Sequence, residues 1–184
     1  DYYLNRGYAK FKVVSKQVNL SPDKEDIYIT LSFNEGNLYK FGKTTVYGLD
    51  NFDSNIFKNI INYNLEPGSF FSRSNIEIAK QAIEFVLGEK GHAFPLVQLN
   101  VDLKDDSESV DITIRIDPKK KSFVRRINIK GNTKTNDEVY RRELRQFESS
   151  IYSINNVERS KIRLQRLKFI NNVDIKKSVV DEEN

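Results

Sequence analysis

The residues best suited to acid–base chemistry or metal binding are one histidine and a group of carboxylates. His92 is the only histidine among the 184 residues, and the chain has no cysteine. A general base needs an oriented partner, and a metal ion needs several donor side chains. Since His92 has no second histidine and no thiolate to join it, we expect it to have a packing or surface role.

The group of carboxylates comprises Asp102, Asp105, Asp106 and Glu108. Calcium loops require a D-x-D-x-D-G spacing with a late glutamate, which this group lacks. Its composition is typical of a solvated hairpin turn. The chain also has no phosphate-binding glycine loop and no serine–histidine–aspartate order. The sequence therefore predicts no enzymatic activity, no metal site and no cofactor.

A short glycine motif, Gly88-Glu89-Lys90-Gly91, matches the G-x-x-G loop with which KH domains grip a nucleic-acid backbone. In a KH domain this loop joins two helices, whereas here it joins a predicted helix to a predicted strand. A KH-like, nucleic-acid-binding repeat protein is therefore an alternative function, and a passive structural spacer is another. We expect no nucleic acid as partner, because the basic part of the chain has no G-x-x-G.

Four charged residues form the candidate partner-binding surface: Arg141, Arg142, Arg145 and Glu148. They lie in or beside a helix predicted for residues 138–147, and Arg145 and Glu148 are three residues apart. Side chains at that spacing share a helix face and can meet one partner surface. A solvated helix face is the other interpretation of such a run. We interpret the four residues as a docking face.

The predicted helix rests on its apolar periodicity. Tyr140, Leu144 and Phe147 recur at spacings of four and three, which predicts one buried face. A strand is predicted before it at residues 123–130, and a second helix after it at residues 157–167. The chain contains this unit of strand, turn and helix twice.

The order of elements indicates an internal repeat. Residues 38–117 are predicted as strand–helix–helix–strand–strand, and the same order begins again at residue 122. Gly48 and Gly131 lie 83 residues apart, and Gly7 and Gly91 lie 84 apart. A nearly constant offset between matched turns is the mark of a repeat architecture.

The first complete copy has specific expected elements. Its helices are predicted at residues 54–63 and 73–88, and its core is predicted to include Ile83, Phe85 or Val86, Ile112 and Ile114. The strand of Ile112 and Ile114 alternates apolar and polar residues, which is typical of a half-buried strand.

Three modules follow from the repeat: the C-terminal part of a module at 1–37, a complete module at 38–117, and a module without its last strand at 118–184. Their net charges are 0, −4 and +8, since the last segment carries seventeen basic and nine acidic side chains. A basic end favours a polyanion, a membrane surface or an acidic protein as partner. No apolar stretch is long enough to predict a membrane-spanning helix.

Several strings in this repeat resemble the POTRA repeats of the BamA family of outer-membrane β-barrel assembly factors. They are LNRGYA near the N-terminus, the string from Phe123 to Glu148, and LQRLKFI downstream. Lys168 and the pair Ser149-Ser150 depart from the pattern, because family members often have glycine there. The resemblance implies an α+β fold of tandem β-α-α-β-β modules, each a small three-stranded mixed sheet with two helices on one face.

The same resemblance implies a function, a location and partners. The expected location is the periplasmic side of the bacterial outer membrane, and the expected work is binding unfolded outer-membrane protein precursors and docking accessory lipoproteins. Contact with the membrane is expected only through a C-terminal barrel, which is absent here. In the family fold the last strand lies between the other two, so residues 123–130 and 173–180 are expected to lack that backbone partner.

The expected binding mechanism is β-augmentation, in which an extended segment pairs with an exposed sheet edge. The family fold makes the strand after the second helix the free edge, which corresponds to Lys10–Leu20 and Pro95–Leu103. The candidate client-binding residues are Lys10, Lys12, Val14, Pro95, Val97 and Leu99.

Overall fold

The computed structural model describes residues 1–50 and 52–179. In chain order its elements are β1 (Lys12–Leu20), β2 (Ile27–Asn34), β3 (Lys40–Tyr47), α1 (Ser54–Asn64), α2 (Arg73–Glu89), β4 (Leu96–Lys104), β5 (Ser109–Asp117), α3 (Asp137–Arg141) and α4 (Ile154–Gln165). The expected α+β fold is confirmed, and the order from β3 to β5 is β-α-α-β-β. No helix in the described part is long and apolar enough to cross a bilayer.

These elements belong to two compact units, residues 1–82 with 98–116 and residues 83–97 with 117–184. The buried apolar side chains of the first unit are Tyr39, Phe41, Phe57, Ile61, Leu65, Phe71, Ile76, Ala79, Val110, Ile112, Ile114 and Ile116. Those of the second unit are Ile83, Leu87, Ala93, Val97, Leu144, Tyr152 and Leu164. The first unit therefore has the larger apolar core.

The strands β1 and β2 form an antiparallel hairpin in which Leu20 pairs with Ile27 and Lys12 with Asn34. The register shifts between Val13 and Ser15, which marks a β-bulge. Every residue of the two strands is exposed.

The three other strands form a mixed sheet in the order β3-β5-β4, with β3 parallel to β5. The central strand β5 buries every second side chain, namely Val110, Ile112, Ile114 and Ile116. This period of two places the apolar residues on one face of the sheet. The outer position of β4 leaves one of its edges without a strand partner in the described part of the chain.

The two helices of this module begin and end close to the predicted positions. The side chain of Asp53 caps α1 by accepting a hydrogen bond from the backbone N–H of Asn55 at 3.0 Å. In α2 the expected core residue Ile83 is fully buried. Val86 is half-buried, whereas Phe85 is 43% exposed. Of the two residues predicted as alternatives for this part of the core, Val86 is therefore the more buried one.

The internal repeat is visible in the backbone hydrogen bonds. The N–H of Phe41 donates to the carbonyl of Ser69 at 2.8 Å, and the N–H of Gly68 donates to the carbonyl of Phe41 at 2.7 Å. Val124 makes the same two bonds with residues 149–150, at 2.9 and 2.7 Å. In both copies, the segment that opens the repeat thus holds the loop that precedes the second helix, although only the first copy forms a regular strand there.

The helix predicted for residues 138–147 is wrong in length, because α3 ends at Arg141. The hydroxyl of Ser160 accepts the N–H of Arg145 at 2.7 Å and the N–H of Gln146 at 3.3 Å. These N–H groups therefore bond to a side chain instead of continuing the helical ladder. As a consequence Phe147, which was expected in the buried face, is 60% exposed.

Two predicted strands of the last module are not formed as regular strands. Residues 124–130 and 171–179 have no strand assignment, and Phe123 makes only an isolated antiparallel bridge with Ile151. Val180, the end of the second predicted strand, lies outside the described residues.

We expect Ile114→Asp to destabilise the first unit by roughly 3 kcal/mol or more, because it places a charge at a fully buried position of the central strand. Thr113→Asp is the matched control, since Thr113 is half-buried and points to the other face of β5. Urea unfolding of the whole chain, followed by circular dichroism, measures both. Equal midpoints for the two variants would contradict the assignment of the core face.

Candidate functional site

The G-x-x-G motif lies in the second unit and makes close internal contacts. Gly91 has a φ of +97°, and a Cβ atom added there would lie 2.9 Å from Cγ2 of Ile151. A Cβ atom on Gly88 would lie 3.0 Å from Cβ of Ile154. Position 91 therefore favours glycine for both its backbone conformation and its space, whereas a side chain at position 88 would require Ile154 to shift by a few tenths of an ångström. We call residues 88–91 with the side chains that they contact the Gly88–Gly91 joint.

The glutamate of the motif caps a helix. Oε1 of Glu89 accepts hydrogen bonds from the backbone N–H of Asn155 at 2.6 Å and from the hydroxyl of Ser153 at 2.9 Å. Ser153 is the N-cap of α4, so the carboxylate lies at the positive end of that helix dipole. In the first unit, the side chain of Asn5 accepts the N–H of Ser74 at 2.9 Å near the start of α2. The cap is thus a feature of the repeat.

Further contacts surround the joint. The ammonium of Lys177 donates to the carbonyl of Ala93 at 2.6 Å and lies 5.4 Å from the ring centre of Phe94 and 5.3 Å from that of Tyr152. His92 is buried, with Nδ1 at 3.0 Å from the carbonyl of Lys119. The histidine therefore has the packing role expected for it.

We expect Gly91→Ala to destabilise the second unit by about 2 to 4 kcal/mol, through left-handed backbone strain and the clash with Ile151. Gly131→Ala is the control, because Gly131 also has a positive φ, +88°, but nothing lies within 4 Å of an added Cβ. Chemical unfolding of the two variants separates strain from crowding. Similar losses in both would show that the close approach at Gly91 contributes nothing.

A second site is centred on the side chains of Arg141 and Glu148, the Arg141–Glu148 pair. Nη1 of Arg141 lies 3.2 Å from Oε1 of Glu148, and Nε of Arg141 donates to Asp137 at 2.6 Å. Both members of the pair also bond to Ile127: Glu148 accepts its N–H at 2.7 Å, and Arg141 donates to its carbonyl at 2.9 Å. Two of the four predicted docking residues are therefore brought together, across the segment 124–130.

These bonds shift the ionisation of both groups. The N–H of Ile127, and after it the guanidinium of Arg141, lower the pKa of Glu148. The carboxylates of Asp137 and Glu148 raise the pKa of Arg141. Since the folded-state pKa of Glu148 is below its ordinary value, the carboxylate stabilises the fold above that ordinary pKa. This contribution is lost as the pH falls through the lowered pKa.

The other two predicted docking residues are placed separately. Arg142 lies 3.6 Å from the carboxylate of Glu143, and Nη1 of Arg145 donates to the carbonyl of Leu144 at 2.9 Å. The premise that Arg145 and Glu148 share a helix face is wrong, because both lie beyond the end of α3. Among the described residues, neither arginine side chain makes a hydrogen bond or ion pair with Glu148.

Two buried polar side chains position this region and were not identified from the sequence. Nε2 of Gln146 donates to the carbonyl of Ile151 at 3.0 Å, and its Oε1 accepts the N–H of Ser153 at 2.8 Å. Ser160 is the second, through the bonds to residues 145–146 described above. One feature of the sequence could have indicated them, namely a polar residue where the helical pattern predicts a buried side chain. Ser160, four residues before Leu164, is at such a position.

An open groove of about 270 Å³ adjoins the pair. Its lining comprises Ile127, Arg141, Leu144, Gln146, Phe147 and Glu148. Of the apolar side chains in this lining, Leu144 is buried, whereas the ring of Phe147 is largely exposed. The site therefore combines an apolar surface with a charged pair, which suits contact with a protein surface.

The candidate client-binding residues of the first predicted edge lie in or just before β1. Lys12 and Val14 belong to the strand, and Val14 lies at its bulge. Lys10 lies outside the strand, and its ammonium binds the carboxylate of Asp105 at 2.5 Å. Asp105 also accepts the hydroxyl of Tyr39 at 2.6 Å, so this member of the acidic cluster is engaged in an ion pair.

The second predicted edge corresponds to β4. Pro95 precedes the strand. Val97 is buried and Leu99 is half-buried, so these two side chains face the core side of the sheet. On the same side, Val101 is 44% exposed and Leu103 is 36% exposed. The C-terminal half of β4 therefore has exposed apolar side chains beside the free edge of the strand. No metal-binding group of His, Asp or Glu exists among the described residues.

Comparisons with known proteins agree with this architecture. The POTRA family model, described as "Surface antigen variable number repeat", matches residues 39–119 and 122–184. A crystal structure of Haemophilus influenzae BamA POTRA3-5 is similar with a TM-score of 0.91 and 31% sequence identity, over 100% of this chain and 72% of that one.

Two curated sequences are similar over nearly the whole chain. The outer membrane protein assembly factor BamA of Neisseria meningitidis serogroup B is 30% identical over 94% of this chain and 22% of its own length. The BamA of Buchnera aphidicola is 32% identical over 95% of this chain and 28% of its own length. The chain thus spans about a quarter of the length of these relatives.

Proposed function

Because the chain belongs to the POTRA family, we propose that it acts as part of the periplasmic arm of a BamA-like outer-membrane protein assembly factor. In this proposal the chain binds and positions other proteins and catalyses no reaction. The described residues support a binding role with edge strands and a groove of mixed apolar and charged lining.

The proposed clients are unfolded outer-membrane protein precursors, bound by β-augmentation along β4 and β1. The observation that carries this proposal is the outer position of β4 in the sheet order β3-β5-β4. Backbone N–H and C=O groups on a free edge can pair with any extended segment, so recognition does not depend on the client's side chains. The exposed side chains of Val101 and Leu103 add apolar contact beside that edge.

The proposed partners at the groove are accessory lipoproteins of the assembly machinery. Phe147 offers an exposed aromatic ring there, and the side chain of Glu148 is 40% exposed. The hydrogen bonds from Ile127 and Arg141 to the Glu148 carboxylate both use Oε1. Oε2 has no such bond among the described residues and can accept one from a partner.

The alternative of a KH-like protein has less support than the sequence motif alone gave it. Gly88 and Gly91 lie against Ile154 and Ile151, and the carboxylate of Glu89 caps α4. A loop engaged in this way does not present the free backbone that a KH domain uses to grip phosphates. The spacer alternative predicts that neither the edge of β4 nor the groove binds a ligand.

The client proposal is tested with a photo-crosslinking amino acid in the full-length protein in cells. At Asn100, an exposed residue of the outer strand β4, we expect adducts with unfolded barrel precursors. At Arg115, exposed on the central strand β5 of the same sheet, we expect several-fold fewer, because that strand is already paired on both sides. Equal labelling at the two positions would contradict edge capture and favour a spacer.

The docking proposal is tested by charge reversal. We expect Glu148→Lys to lower recovery of the accessory lipoproteins in a pull-down from cells by about tenfold, because it replaces an acceptor with a cation at the contact. Glu158→Lys is the control, with the same change of charge at an exposed position of α4. Parent-like recovery with Glu148→Lys would exclude this surface. Both variants must melt at the temperature of the parent protein, so that a loss of recovery does not reflect unfolding.

A further inference from the structure

The acidic turn between β4 and β5 bonds to the chain on both sides of the β1–β2 hairpin. The carboxylate of Asp105 accepts the ammonium of Lys10 at 2.5 Å and the hydroxyl of Tyr39 at 2.6 Å. At the other end of the turn, Oε1 of Glu108 accepts a hydrogen bond from Nδ2 of Asn37 at 3.1 Å. All five residues belong to the first compact unit, and we call them the hairpin latch.

The latch lies where the chain crosses between the hairpin and the rest of the unit. The chain enters the hairpin after Lys10 and leaves it before Asn37. The two crossings lie side by side, since a Cβ atom added to Gly36 would lie 3.2 Å from Cβ of Lys10. Tyr39 anchors the latch in the core, because this residue is only 2% exposed and its N–H donates to the carbonyl of Gly7 at 2.8 Å. One turn thus bonds both crossings and a core residue beside them.

The hairpin itself buries no side chain that could set its direction. Every residue of β1 and β2 is exposed, and the two strands form a separate two-stranded sheet. The ring of Phe33 lies 5.7 Å from that of Tyr3 and 5.9 Å from that of Phe11. This aromatic contact attaches the hairpin to the N-terminal residues, whereas the latch joins its base directly to the β3-β5-β4 sheet.

The second repeat cannot build the same network. Tyr39 and Ser122 each donate their N–H to the matched glycine of their copy, so Ser122 is the counterpart of Tyr39. Three residues after those glycines, the first copy has Lys10 and the second has Phe94. Serine has no phenol and phenylalanine has no charge. The latch is therefore a property of one joint and not of the repeat.

We infer that the acidic turn fixes the direction of the β1–β2 hairpin relative to the β3-β5-β4 sheet, with Asp105 as the central group of the latch. The side chains of Lys10 and Asp105 are 44% and 62% exposed, and such an ion pair contributes little to global stability. It can still select one direction of the hairpin, because the strand residues are exposed already and other directions lose little buried apolar surface. The inference does not depend on the proposed function.

The test measures the spread of one distance across the latch in the whole chain. The chain has no cysteine, so Lys16→Cys in β1 and Lys58→Cys in α1 provide two unique, exposed sites for nitroxide spin labels. By pulsed dipolar EPR, we expect Asp105→Ala to widen the distance distribution about twofold relative to the parent, because the hairpin then samples more directions. Asp106→Ala is the control, because it removes the same charge from an exposed position of the same turn, and its distribution should equal that of the parent.

A second variant removes the other side of the ion pair. Lys10→Met keeps most of the apolar stem of the side chain and should also widen the distribution. Added to Asp105→Ala it should change nothing further, because both changes remove the same bond. A parent-like width in Asp105→Ala, an equal widening in Asp106→Ala, or additive widening in the double variant would overturn the inference.

Discussion

In both modules, one exchange of two backbone hydrogen bonds fixes the loop between the helices to the segment that opens the repeat. Phe41 makes this exchange in the first complete copy, and Val124 makes it in the second. Because this exchange fixes the loop, the second helix begins at a defined place. The capping side chain from the preceding segment can then reach the start of that helix. Asn5 and Glu89 supply that cap at equivalent positions, before α2 and α4 respectively. The exchange therefore sets the geometry on which the joint and the Arg141–Glu148 pair are built.

The fold was predictable where the apolar pattern had a clear period. The strict alternation in β5 and the helical spacing in α2 gave the right elements, and the repeat gave their order. The G-x-x-G motif was not predictable in its role, because its meaning depends on Ile151 and Ile154, some sixty residues away in the sequence. Periodicity describes one element at a time and contains no information about such contacts.

The candidate site was predictable only in part. Arg141 and Glu148 were identified, but the helix that was to hold them ends early because Ser160 binds the N–H groups of residues 145–146. Local propensity cannot predict this, since the competing acceptor comes from another helix. The net charge of +8 also contains no information about how the charges are arranged. Glu143 alone lies within ion-pair distance of both Arg142 and Arg163, so part of the positive charge is compensated locally.

One backbone detail distinguishes the loop that carries Glu148. Ser149 has a φ of +60° at the position where the other copy has Gly68 with a φ of +86°. A residue with a side chain tolerates this conformation less well than glycine, at a cost of about 1 kcal/mol. The backbone conformation of this loop is therefore less favourable than that of its counterpart, and the two hydrogen bonds to Val124 must offset that cost. The same pair of backbone bonds is thus held by a glycine that adopts the left-handed conformation without strain in one copy, and by a serine that does not in the other.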